Sequence, residues 1–146
     1  MPRYIYLLQA NDESESDITP KPEIGAILAK MAAYNQSLAE AGLFLSADGF
    51  RSSAEGARVA FSASGDSTVQ NGPFGREGLI RGFWVVKAKD LDEAVAWAKK
   101  APVEDTTIEV RRCGEVEDFK DAMTEELQRA FVEVGAKAEE NKKGLA

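Results

Sequence analysis

The sequence predicts an α+β fold: a sheet of strands with helices packed on it, elaborated by an extra hairpin and a C-terminal helix. Three observations carry this expectation. Strand-like and helix-like periodicities follow one another in the order strand, helix, several strands, helix, strand, helix. Residues 79–88 are the most strand-like stretch and carry bulky apolar groups on both alternating faces, which suits a central strand. The chain has 146 residues, 44% apolar and 29% charged, enough for one core and too apolar for a disordered chain.

The elements follow in order. Residues 4–9, rich in Tyr, Ile and Leu, read as the first strand, and residues 11–17 as a polar, acidic loop. Thr19 is a candidate helix cap, followed by Pro20 and Pro22, which a first turn tolerates because its amides have no intrahelical partner. Ile24, Ile27, Leu28, Met31, Tyr34, Leu38 and Ala41 then recur at helical spacing, and Gly42 is a natural stop. Residues 43–51 look extended, with a turn near Ala47-Asp48-Gly49. Short strands over 58–63 and 68–70, joined by a turn at Gly65-Asp66-Ser67, make a hairpin. The turn Asn71-Gly72-Pro73-Phe74 leads toward the central strand. There Gly82, Trp84 and Val86 point one way, and Arg81, Phe83, Val85 and Lys87 the other. Asp90 to Glu93 reads as a capping box, opening a helix with Leu91, Ala94, Val95 and Ala98 as its apolar stripe and Pro102 beyond its end. Residues 106–112 form the last strand, with Ile108 and Val110 on one face and Glu109 and Arg111 on the other. Residues 118–140 form a third long helix, with Phe119, Met123, Leu127, Ala130 and Phe131 on its apolar side.

This order is close to the ferredoxin-like βαββαβ arrangement over residues 1–112, with 113–146 as a helical extension of the same domain. Two main helices cover only one face of such a sheet. The other face, with Phe83 and Val85 or with Trp84 and Val86, calls for a cover, and a second copy supplies the simplest one, a symmetric homodimer.

Composition narrows the function. A net charge of −7 without a basic cluster argues against nucleic acid and against an anionic membrane surface. There is no histidine, so no Ser-His-Asp triad, Cys-His pair or HExxH zinc site can form. Acid–base work would fall to carboxylates, tyrosines, lysines, Cys113 or solvent. A single cysteine allows no intrachain disulfide, and the first apolar run is too short to span a bilayer and lacks a signal-peptide cleavage pattern, so a cytoplasmic location is expected. The scattered Asp and Glu show no metal-ligand spacing, and residues 72–78 fit neither a phosphate loop nor a dinucleotide fingerprint; no metal and no cofactor are expected.

Candidate site residues each carry two readings. Asn71 and Phe74 could line a ligand loop, or form a tight turn anchored by the Phe74 ring. Glu77 could act as a base or stand solvated on its loop. Glu109 and Arg111 share a strand face and could serve as base and anion clamp, or as a surface ion pair. Tyr6 is the tyrosine best placed for a pocket hydroxyl, or else a core residue. Asp48 and Arg81 could contact a polar ligand, or make a turn and pack an aliphatic stem. Cys113, after Arg111 and Arg112, is either an activated or a passive thiol.

Gly72-Pro73-Phe74, Gly82-Phe83, the run Leu91-Asp92-Glu93-Ala94 with Trp97, and Glu109-Val110-Arg111 together resemble the YCII-related family, in its DGPF-domain branch. The opening Tyr4-to-Leu8 strand, the stop at Ala41-Gly42-Leu43 and the pair Asp118-Phe119 match as well. The resemblance covers most of residues 3–135 and implies a ferredoxin-like chain pairing into a dimeric α/β barrel. It also implies an uncharacterised activity. Short members are thought to use a His-Asp pair, which a chain without histidine cannot supply, and Asn71 stands where the motif has Asp. Some longer relatives are encoded near extracytoplasmic-function sigma factors, which implies a signalling context. Two functions are therefore expected to compete: a protein binding a small polar or aromatic molecule in a barrel pocket, with proton-transfer chemistry as an added step, and a non-catalytic dimeric interaction or regulatory module.

Overall fold

The structure, a computed structural model, describes residues 1–15 and 21–145. The expected helix cap at Thr19 and its neighbour Pro20 lie outside the described residues. The chain divides into two compact units, Met1–Cys113 and Gly114–Ala146.

The first unit is α+β. Its main sheet has four antiparallel strands: β1 (Arg3–Gln9), β2 (Phe44–Gly49), β5 (Ile80–Lys87) and β6 (Ile108–Arg112), in the order β2-β5-β1-β6. The sheet is open, with β2 and β6 at its edges, and does not close into a barrel. Strands β3 (Ala57–Phe61) and β4 (Ser67–Asn71) pair only with each other, as the extra hairpin. Period-2 alternation sorts the central strands. Tyr4, Tyr6 and Leu8 stand opposite Val86, Trp84 and Gly82 on one face. Ile5 and Leu7 stand opposite Val85 and Phe83 on the other.

Helices α2 (Lys21–Glu40) and α3 (Leu91–Ala98) both pack on the first face. Tyr34 and Leu38 of α2, Leu43, and Ala94 of α3 close the core over Tyr4, Tyr6, Leu8, Trp84 and Val86. The Tyr34 ring meets Trp84 edge-on, with centroids 5.4 Å apart. Two of the buried tyrosines anchor α3 through its carbonyls. Tyr6 Oη donates to Ala94 O at 2.6 Å and Tyr34 Oη to Trp97 O at 3.0 Å. Gly42, at φ +79°, ends α2 in the left-handed region, as its position predicts.

Several expectations are corrected. The acidic stretch after β1 is not all loop: Asp12–Glu15 form a helical turn, α1, capped where Ser14 N donates to Asn11 Oδ1 at 2.9 Å. Ala47-Asp48-Gly49 is not a turn, because β2 runs through it, paired with Trp84, Phe83 and Gly82. Ile24, Ile27 and Leu28 share the helical spacing of Tyr34 and Leu38 but are exposed, Leu28 at 61%; only the second half of α2 is sunk into the core. Leu91 is likewise exposed, and α3 buries Ala94 instead. The α3 cap takes a shifted form: Asp90 accepts from Glu93 N, while the Glu93 carboxylate accepts from Lys89 N rather than from the cap residue itself.

The second unit holds a 3-10 turn, Val116–Phe119, and helix α4 (Glu125–Lys142). The helix expected over 118–140 starts later because Thr124 Oγ1 accepts from Leu127 N at 3.1 Å and caps it there. Phe119 and Met123 therefore precede the helix. Among the described residues no helix is long and apolar enough to cross a membrane.

Candidate functional site

A β-bulge creates the feature of most chemical interest. Leu8 lies opposite Gly82 but Gln9 lies opposite Ile80, so Arg81 is the extra residue of β5. Strict alternation would send Arg81 to the same face as Phe83. With the register shifted, Arg81 instead lines two cavities on the α2 side of the sheet, and its Nε atom is buried.

The first cavity, about 300 Å³, lies under the exposed first half of α2. Leu8, Ile27, Leu28, Met31 and Trp84 give it apolar walls, Asn35 and Arg81 its polar side chains, and Ala47–Gly49 of β2 run along it. The second, about 560 Å³, joins it at Ile27, Met31 and Arg81 and adds Lys30, Glu104, Ser14 and Asn11. The Trp84 indole donates to Asn35 Oδ1 at 2.7 Å. An indole N–H can only donate, so this bond fixes the amide orientation and leaves the Asn35 nitrogen as a donor for the cleft.

The sequence-selected residues do not assemble into one site. Arg81 lines the cleft just described, and Asp48 lies in the strand along it, opposite Phe83, with its side chain on the other face of the sheet. Tyr6 is fully buried in the core with its hydroxyl committed to Ala94. Its pKa is pushed up to about 12, first by burial and second by the charge of Glu93. Tyr34 is raised too, by burial and then by Tyr6. Both stay neutral and act as fixed donors. Glu77 is exposed beside a shallow, polar hollow of about 620 Å³ that also includes Arg76, Asp105 and Thr106. Glu109 and Arg111 form an exposed ion pair at 3.3 Å on the edge strand, across from Leu7 and Ile5 on the face that α2 and α3 do not cover. Cys113 is half-buried, and its N–H donates to Arg3 O at 2.8 Å. Among the described residues no three Cys, Asp or Glu side chains gather as metal ligands would.

Asn71 and Phe74 lie at a packed turn. Asn71 is exposed at the end of β4, paired with Ala57. Phe74 is half-buried, with the Arg58 guanidinium 4.0 Å from its ring centroid. Its N–H donates to Ser53 Oγ at 3.0 Å. Ser53 is itself held by Glu15, whose carboxylate accepts from the Ser53 hydroxyl at 2.5 Å and from its N–H at 3.2 Å. Gly72 lies so close to this turn that a Cβ would overlap the Ser53 carbonyl oxygen. The Gly-Pro-Phe run thus clamps the Ser53–Glu55 turn.

Sequence reasoning missed Asn35, Glu15 and Ser53. Asn35 had a readable signal, since Ile27, Met31 and Asn35 are spaced four apart and put one polar group on the line that faces the sheet. Glu15 and Ser53 had none, because their contact spans 38 positions between two polar segments.

Compared with known protein families, the chain matches the YCII-related domain over residues 3–119. No curated protein matches it.

Proposed function

The chain belongs to the YCII-related family, and on that footing we propose that it binds a small polar or aromatic molecule in the cleft between α2 and the sheet. One observation carries the reading: two polar side chains, Asn35 and Arg81, line an apolar-walled cavity of about 300 Å³. That combination, mostly apolar walls with a few directed polar groups, is the usual make-up of a small-molecule site. Proton transfer has weaker support, because Glu77 and Glu109 stand apart from the cleft and the Tyr6 hydroxyl is spent on Ala94.

The strand order β2-β5-β1-β6, with both helices on one face, supports a ferredoxin-like reading of the first unit. The other face has a half-buried apolar centre of Ile5, Leu7, Phe83 and Val85, with Lys87, Asp48, Glu109 and Arg111 around it. That make-up suits a two-fold pairing of sheets, the dimeric α/β barrel, with one cleft on the outer side of each subunit. The second reading, a dimeric regulatory module without chemistry, is favoured by the separation of Asp48, Glu77 and Glu109 into three places.

Thermal unfolding in the presence of small aromatic and polar compounds tests the cleft. At least one compound should raise the melting temperature, and Met31→Trp, which fills the cavity, should abolish the rise. A rise that survives Met31→Trp, or no rise with any compound, would count against the cleft as a site.

A further inference from the structure

We propose that the cleft takes a flat aromatic molecule with a hydrogen-bond acceptor on its rim, its ring lying over Gly49 and Gly82 and its acceptor facing Asn35. This names the ligand class of the small-molecule site above and rests on that reading. The floor of the cleft explains why there is a cleft. Ala47 and Gly49 of β2 stand opposite Trp84 and Gly82 of β5, on the sheet face that carries Tyr6 and Leu8. Three of these four floor positions, Ala47, Gly49 and Gly82, have little or no side chain, and all three line the cavity. A Cβ on Gly82 would lie 2.8 Å from the Asp48 carbonyl oxygen, so that position stays bare, whereas a Cβ on Gly49 would meet nothing within 4 Å.

A helix packs on a sheet through two layers of side chains, one from each. Here the sheet's layer is missing, and α2 supplies Ile27, Leu28 and Met31 alone. The gap that remains is one side chain deep over bare peptide planes, which suits a planar ring better than a puckered one. The exposure of Ile27 and Leu28, unexpected on the stripe of a core helix, has a use here: the ring would take them out of water. Asn35 sets the polar requirement. Its Oδ1 is taken by the Trp84 indole, and its Nδ2 protons meet no acceptor among the described residues. The one acidic residue along the cavity, Asp48, turns its side chain to the other face of the sheet. A guanidinium accepts no hydrogen bond, so Arg81 adds no acceptor either. A carbonyl or ring nitrogen on the ligand gives Nδ2 its partner, while an amino group finds no side-chain acceptor.

Titrations of the intact protein with three probes, followed by NMR, test this: acetophenone, cyclohexyl methyl ketone and aniline. Acetophenone, flat and accepting, should bind about fivefold or more tighter than the puckered ketone or the donating amine. Asn35→Asp keeps an oxygen for the Trp84 indole but replaces the donor facing the ligand by an acceptor. It should invert the order of acetophenone and aniline. Gly49→Val puts a side chain on the floor of a strand that favours β-branched residues. It should weaken acetophenone about fivefold or more without lowering the melting temperature. Equal binding of acetophenone and aniline, unmoved by Asn35→Asp and lost in Met31→Trp, would overturn the acceptor requirement and leave the cleft standing. Equal binding of the two ketones, with Gly49→Val indifferent, would overturn the flat ring. Absence of binding by all three would overturn the proposal, and with Met31→Trp indifferent to every other compound tried, the small-molecule reading would fall with it.

Discussion

Tyr6 shows how one side chain can be exchanged between chemistry and architecture by its surroundings. Its hydroxyl is close to a helix carbonyl, fully buried and raised in pKa to about 12. A tyrosine raised in the folded state keeps its proton after the unfolded chain has lost its own. Its stabilising contribution is therefore complete below about pH 10 and is lost as pH rises from there through about 12. Denaturant titrations across that range should show this alkaline decline, and Tyr6→Phe should make it shallower while costing about 1 kcal/mol at neutral pH for the Ala94 carbonyl left without its donor. Gly72 is the second residue whose identity is dictated locally. Any Cβ there meets the Ser53 carbonyl, so Gly72→Ala should cost about 2 kcal/mol or more, measured as a lowered urea midpoint. The Gly-Pro-Phe signature was plain in the sequence. Its purpose was not, because the turn it clamps lies far from it along the chain and is itself made of polar residues with no periodic pattern.

At the scale of elements, α2 has two halves with different work. Leu38 is fully buried, whereas Leu28 is 61% exposed. Leu38→Ala should destabilise by about 2–5 kcal/mol, and Leu28→Ala by less than about 0.5 kcal/mol, both by equilibrium denaturation. A comparable cost at both positions would mean that the first half of α2 is packed as firmly as the second. Strand and helix identities were largely legible, because period-2 and period-3.6 patterns are local properties of Tyr4–Leu8, of Tyr34 and Leu38, and of Trp84 and Val86. What was not legible was depth. The stripe of α2 continues through Ile24, Ile27 and Leu28 without saying which turns sit over the sheet. The same holds for the site. The bulge that brings Arg81 to the helix side depends on pairing between β1 and β5, so simple alternation assigned Arg81 to the wrong face.

For the whole molecule, the open sheet has one face closed by two helices and one whose half-buried apolar centre α2 and α3 leave uncovered. If two sheets pair face to face, Val85→Lys should place a charge in the middle of the joint and give monomers in native mass spectra, with the helix-side core and the cleft left intact. A monomer in the unaltered protein at micromolar concentration would count against pairing. The four-strand order gathers, from distant parts of the chain, the residues that sequence reading could only scatter. Leu8, Met31, Asn35, Asp48 and Arg81 come from four elements to one cavity, and only two of the five were chosen from the sequence as ligand contacts.

The claim that this cavity is a binding site is most directly tested by following side-chain amide and indole signals in a ¹H–¹⁵N correlation titration with acetophenone. The account predicts saturable shifts of the Trp84 indole and the Asn35 side-chain amide, which share the 2.7 Å bond at the cleft wall, while backbone signals of Glu109 and Arg111 stay in place. Shifts confined to Glu109 and Arg111, or a Trp84 indole indifferent to saturating ligand, would contradict it.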